Sequence, residues 1–115
     1  MMIPPAARFF VQLAGVSGAA AVILGAYGAH AFKPSTPEAR EVFETGNRYH
    51  LIHSVALGLA PFSRHPKVTG LLFTLGMLGF CGSCYGYSLA QSQTLRQMAP
   101  YGGICLILAW LSLIF

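Results

Sequence analysis

An all-α integral membrane protein, with four transmembrane helices packed as one bundle, is the fold the sequence predicts, on three observations. Hydrophobic residues make up 55% of the 115-residue chain and charged residues only 9%, whereas a soluble domain carries about 25% charge. With the 13 glycines added, the apolar-plus-small share reaches about two thirds, too much for a water-facing surface. The apolar residues also gather into four stretches, against a need of ~20 residues to cross ~30 Å of hydrocarbon. None alternates like a barrel strand, and in lipid only helices or closed barrels satisfy the backbone. The length fits a single domain, residues 1–115.

The first span, residues 9–32, holds no formal charge and is interrupted only by Gln12 and His30. A cleaved signal peptide is the rival, with Arg8 before the apolar run and Ala29-His30-Ala31 as a small-x-small site. Retention is the better expectation, because ~24 apolar residues exceed the usual 7–15 of a signal. Ala14, Gly18, Ala21, Gly25 and Gly28 also form a 4-3-4-3 seam of small residues, which a discarded peptide does not need. A polar segment follows, with Ser35-Thr36-Pro37-Glu38 spaced as a capping box. It contains every acidic residue, Glu38, Glu41 and Glu44, with Arg40–Glu44 and Glu44–Arg48 as i,i+4 pairs. This predicts a short amphipathic segment running into the second span, residues 47–63, with Gly46 as a kink.

The third span, residues 68–90, is uncharged and carries a matching seam of Gly76, Gly79, Ser83, Gly86 and Ala90, with a GxxxG from Gly82 to Gly86. Two such seams predict close packing of the first span on the third. The fourth span covers residues 98–115. Spans two and four are short and borrow flanking residues.

Net charge is +4, but its basic residues are scattered. No stripe tracks phosphates, so nucleic acid is not an expected partner. Cys81, Cys84 and Cys105 lie inside apolar stretches, unlike a secreted disulfide framework.

Gly25-Ala26-Tyr27-Gly28-Ala29-His30, Asn47-Arg48-Tyr49-His50-Leu51-Ile52-His53, Ala99-Pro100-Tyr101-Gly102-Gly103 and Leu108-Ala109-Trp110-Leu111 together resemble the transmembrane protein 256 family. The resemblance runs from about Leu13 to Leu113. It implies a four-helix membrane protein of the mitochondrial inner membrane or plasma membrane, and it implies no activity.

Three histidines are the candidate cofactor-binding cluster. His50 and His53 stand at i and i+3, and His30 closes the first span on the same membrane side. Imidazole is the commonest metal ligand, yet histidines near helix ends more often bond to carbonyls or to neighbouring helices. Cys81-Gly82-Ser83-Cys84 has thiol-oxidoreductase spacing, but it lies inside a span, away from a helix start or cation, where cysteine packs. Tyr27, Asn47, Tyr49, Tyr85, Tyr87 and Tyr101 gather at the same leaflet as the histidines, where a site is expected. The chain has no aspartate, no intramembrane acid and no phosphate loop, so no catalytic constellation and no cofactor motif emerge.

The leading expectation is a non-enzymatic accessory or assembly subunit, with lipid, a larger membrane complex or a second copy as partners. The alternative is a cofactor-, metal- or lipid-binding bundle using the histidines. For topology, Arg8, Arg64 and Lys67 lie in short segments on one side, against Lys33, Arg40, Arg48 and Arg96 among glutamates on the other. Basic density favours both termini inside. In a cysteine-free background, a single cysteine at Ser92 is expected to react with an impermeant thiol reagent from outside, and one at His65 to stay unlabelled.

Overall fold

In the computed structural model, which describes residues 5–115, all the regular elements are helical. α1 spans Pro5–His30, α2 Pro37–Leu57, α3 Pro66–Ala90 and α4 Gln93–Ser112, with a 3₁₀ turn at Ala60–Phe62 between α2 and α3. Two segments are long and apolar enough to cross a membrane, Ala7–His30 and Pro66–Ala90. α2 starts well before residue 47 because the amphipathic segment and the second span form one continuous helix. α4 starts five residues before the expected 98 and ends at Ser112.

Local chemistry explains these boundaries. Thr36, rather than the Ser35 of the capping-box pattern, caps α2, its hydroxyl accepting from Ala39 N at 3.0 Å. Ser35, one residue before the cap, accepts from the Gln91 side chain in the turn between α3 and α4. Pro37 occupies the first turn, where its missing N–H costs nothing. The Arg40 guanidinium donates to Gly28 O and Phe32 O at 3.3 and 3.2 Å, satisfying carbonyls at the end of α1. Arg40 also lies 4.0 Å from Glu44, and Arg96 pairs with Glu38. No Glu44–Arg48 pair forms among the described residues. Ser92 caps α4 by accepting from Leu95 N at 3.2 Å, after Gln91 turns the chain with φ 58°.

The helices pack in chain order, and this corrects one expectation. The small-residue seams of α1 and α3 do not face each other: α1 packs chiefly along α2, and α3 along α4. A Cβ at Gly28 would strike the Phe43 ring, and one at Gly25 would lie 2.9 Å from Asn47 Oδ1. A Cβ at Gly76 would lie 2.9 Å from the Leu106 backbone nitrogen, one at Gly79 equally close to Gly102 Cα, and one at Gly86 would strike Leu95. Gly46 does not interrupt α2; a Cβ there would sit 2.5 Å from Cys84 Cβ, so this glycine admits α3. Ala21 is fully buried, Ala14 lies beside Gly58, and Ser83 bonds back to the Gly79 carbonyl. A Cβ at Gly82, the other end of the GxxxG, would meet nothing within 4 Å. A core of Phe10, Leu57, Phe73, Met77, Cys81 and Leu106 fills the centre, with Leu72 half-buried against it. Large apolar side chains also cover the outside, such as Val16, Leu78 and Ile107, each at least 60% exposed.

The tightest contact is between α3 and α4, where a Cβ on Gly102 would lie 2.5 Å from the Gly79 carbonyl carbon and collide with the Phe80 nitrogen. Gly102→Ala is therefore expected to destabilise the protein by about 1–3 kcal/mol. Gly82→Ala, facing open space, should be neutral or stabilising by up to about 1 kcal/mol. Thermal unfolding in detergent measures both.

Candidate functional site

Beside the apolar core α2 carries a row of polar residues, and in an apolar surround each needs a partner. Asn47, His50 and Ser54 stand at three- and four-residue spacing on α2, so one helix face presents all of them. Asn47 Nδ2 donates to Ala21 O on α1 at 2.8 Å and to the Tyr85 hydroxyl on α3 at 3.1 Å. The same hydroxyl lies 3.0 Å from His50 Nδ1, and His50 Nε2 lies 3.1 Å from Ser17 Oγ. Ser17 and Ser54 hydroxyls meet at 2.6 Å, and Ser54 donates to His50 O at 2.7 Å. The Met77 sulfur accepts weakly from both serines, at 3.8 and 3.9 Å. One unbroken chain of hydrogen bonds thus ties three helices together.

Beside this chain α1 stands away from α3, and a cleft of ≈ 260 Å³ opens between them. Its walls are apolar, with Leu13 and Leu24 from α1 and Met77, Leu78 and Gly82 from α3. Its polar lining includes Ser17, His50 and Tyr85. α1 turns Gly18, Gly25 and Gly28 to α2 and Leu13 and Leu24 to the cleft, and it meets α3 closely where Phe10 covers Gly70. Thr74 lines the cleft too, but its hydroxyl bonds back to Gly70 O at 2.7 Å.

The three candidate histidines do not converge, which corrects the expectation of a shared ligand set. His30 is exposed at the end of α1. His50 faces Ser17 and Tyr85, whereas His53 is buried on the α4 side, stacked on Tyr49 and T-shaped against Trp110. His53 Nε2 accepts from Trp110 Nε1 at 3.0 Å and Nδ1 lies 2.7 Å from Tyr49 O, so both of its nitrogens are engaged. Three residues along a helix separate two side chains by about 60°, enough to send the rings into different interfaces. Among the described residues no group of three or more His, Cys, Asp or Glu could hold a metal. Cys81 and Cys84 are buried and unpaired; Cys81 borders the cleft and Cys84 packs on Gly46. A second, wider groove lies between α2 and α4, lined by Tyr49, Phe80 and Trp110.

Sequence reasoning placed Asn47 and Tyr85 near the site but missed Ser17 and Ser54. The available signal was Ser54 at i+4 from His50, on the same helical face. Ser17 had no such signal, since only the crossing of α1 over α2 brings it to the imidazole.

Comparison with known proteins gives a consistent picture. Residues 24–103 match the family described as "Protein of unknown function (DUF423)". The chain is 32% identical to the UPF0382 membrane protein YwdK of Bacillus subtilis, covering 93% of this chain and 94% of that protein. It is 32% identical to the UPF0382 inner membrane protein YgdD of Escherichia coli, covering 90% and 84%, and 26% identical to a UPF0382 membrane protein of Haemophilus influenzae, covering 92% and 90%. These relatives are bacterial, so they lend no support to a mitochondrial location. No solved structure matches.

Ser17 and His50 share a hydrogen bond across helices, so their effects on stability should not add. A double-mutant cycle with Ser17→Ala and His50→Phe, read by unfolding in detergent, is expected to give a coupling of about 0.5–1.5 kcal/mol.

Proposed function

Because the chain belongs to the DUF423 family of membrane proteins, we propose that it is a lipid-binding helical bundle which holds an elongated, chain-bearing apolar molecule in the cleft between α1 and α3. All four helices cross the bilayer in this reading. The ligand's chain lies along Leu13, Leu24 and Leu78, and its polar end meets Ser17, His50 and Tyr85. The observation that carries the proposal is the cleft itself: almost wholly apolar walls, a small polar patch where the hydrogen-bonded Ser17, His50 and Tyr85 reach the lining, and an open side that faces lipid in this reading. Ligand sites commonly combine largely apolar linings with a few convergent polar groups in this way.

Depth along the bundle supports the same reading. Between Lys67 and Tyr85, α3 rises about 27 Å at 1.5 Å per residue, close to the thickness of the hydrocarbon core. Tyr85 then lies near one leaflet boundary, with Arg48 and Glu44 exposed at a similar level, and Ser17, midway along Ala7–His30, lies deeper. An amphipathic molecule in that leaflet has its polar end at this depth. The expectation of an accessory subunit rested on the small-residue seams; these are occupied within the chain by Phe43, Asn47, Leu106 and Gly102. Weight therefore moves from protein association toward a small-molecule ligand.

The protein in lipid nanodiscs, exposed to a diazirine-bearing alkylbenzene and irradiated, is expected to be labelled on α1 between Leu13 and Leu24 and on α3 between Thr74 and Tyr85. Gly82→Trp, at an open position on the cleft wall, should cut that labelling at least tenfold while leaving the fold intact. Uniform labelling over all outward faces, unchanged by the substitution, would remove the proposal.

A further inference from the structure

We propose that the group recognised in this cleft is a carbonyl oxygen, carried by a chain-bearing molecule such as a prenylated quinone or an acyl ester, and that Tyr85 donates to it after the hydrogen-bond chain through His50 reverses direction. This rests on the cleft being a ligand site, and it follows from counting hydrogens.

A neutral imidazole carries one N–H and one acceptor nitrogen. With the hydrogen on Nε2, the chain runs one way. Asn47 donates to Tyr85, Tyr85 to His50 Nδ1, His50 Nε2 to Ser17, Ser17 to Ser54, and Ser54 to His50 O. Every hydrogen in the chain is then used, and Tyr85 offers the cleft only a lone pair. With the hydrogen on Nδ1, the same contacts run the other way. His50 donates to Tyr85, Ser17 donates to Nε2, and Ser54 donates to Ser17, all over the same heavy-atom distances. The His50 carbonyl keeps its helical bond within α2.

In this second arrangement the Tyr85 oxygen accepts from both Asn47 and His50, and its own hydrogen is released. A free hydroxyl hydrogen in an apolar cleft costs free energy unless an acceptor meets it. An acceptor ligand therefore selects the reversed chain. A hydrocarbon of the same length leaves the first arrangement in place. The reversal gives up the Ser54 bond to the His50 carbonyl and gains the Tyr85 bond to the ligand, so the number of hydrogen bonds is unchanged. The His50 carbonyl keeps its helical partner while a carbonyl oxygen unpaired in hydrocarbon gains its first, an exchange that favours the carbonyl compound by up to about tenfold. Quinones and acyl esters share this acceptor, and the cleft's ≈ 260 Å³ admits a single ring or one stretch of chain, with the remainder lying in lipid.

The test uses the full chain in nanodiscs and three probes of equal chain length: a decyl-substituted benzoquinone, methyl decanoate and decylbenzene. Each competes against the photoactivatable alkylbenzene. At least one carbonyl probe is expected to compete at a lower concentration than decylbenzene, by up to about tenfold, and which one does so identifies the source. Tyr85→Phe should abolish that advantage and leave decylbenzene unchanged. On the wild-type protein, ¹⁵N-histidine NMR, with His50 assigned by its absence in His50→Gln, should show the proton moving from Nε2 to Nδ1 on addition of that carbonyl probe. Decylbenzene should produce no such change. If all three probes compete equally and the tautomer stays fixed, the carbonyl proposal is wrong and the cleft remains a ligand site. If none competes, the cleft reading itself fails.

Discussion

The contact of α3 with α4 at Gly79 and Gly102 is the constraint on which the rest of the bundle depends. In lipid no hydrophobic force drives helices together, so close packing and interhelical hydrogen bonds must hold the assembly. Backbone meeting backbone needs a position without Cβ on both helices, and these two glycines supply it. With α4 seated there, Leu106 enters the space over Gly76, and Phe73 and Trp110 meet edge to face at 5.3 Å. α3 is thereby held at the centre of the fold. Its other flank receives α2 at Gly46 and Cys84, and α2 in turn carries α1 along Gly25 and Gly28. α1 is bound mostly through its neighbour.

The cleft is a consequence of that order of attachment. α1 has one glycine-rich face and gives it to α2, so Leu13 and Leu24 are left to face the cleft. Polar side chains of α2 bridge what remains of the gap. An unsatisfied polar group is costly in an apolar surround, yet here Asn47, His50, Ser17, Ser54 and Tyr85 all find partners among themselves. This network joins α1 to α3 through α2 without closing the space between them. Stability and openness coexist because the joining atoms are side-chain atoms, which reach farther than backbones in contact.

His53 shows what a purely structural histidine looks like in the same protein. It is buried, stacked on Tyr49 and bonded through both nitrogens, one of them to Trp110. His50 also uses both nitrogens, but its partners are hydroxyls, which donate or accept with equal ease. That difference separates a fixed contact from an adaptable one. Two histidines three residues apart therefore have different capacities, and the distinction comes from their neighbours.

Much of the fold was legible in the chain by itself. Composition and the four apolar stretches point to a helical membrane bundle, since a chain with 9% charged residues cannot build a soluble surface. The spacing of Gly25, Gly28, Gly76 and Gly79 marks helix faces made for close approach, because the helical repeat places them on one side. Spacing names a face, however, and never its partner; α1 and α3 were paired on paper and are each paired with their sequence neighbour in the structure. Helix starts were legible only roughly, because Ser35 and Thr36 are both good caps and Thr36 is the one that accepts from Ala39 N. The histidines shared a segment but not a site, and Ser17 carried no mark at all. Tertiary structure alone decided the cleft and its polar patch, for a plain physical reason: both are made of distances between helices, and a one-dimensional pattern contains only distances along them.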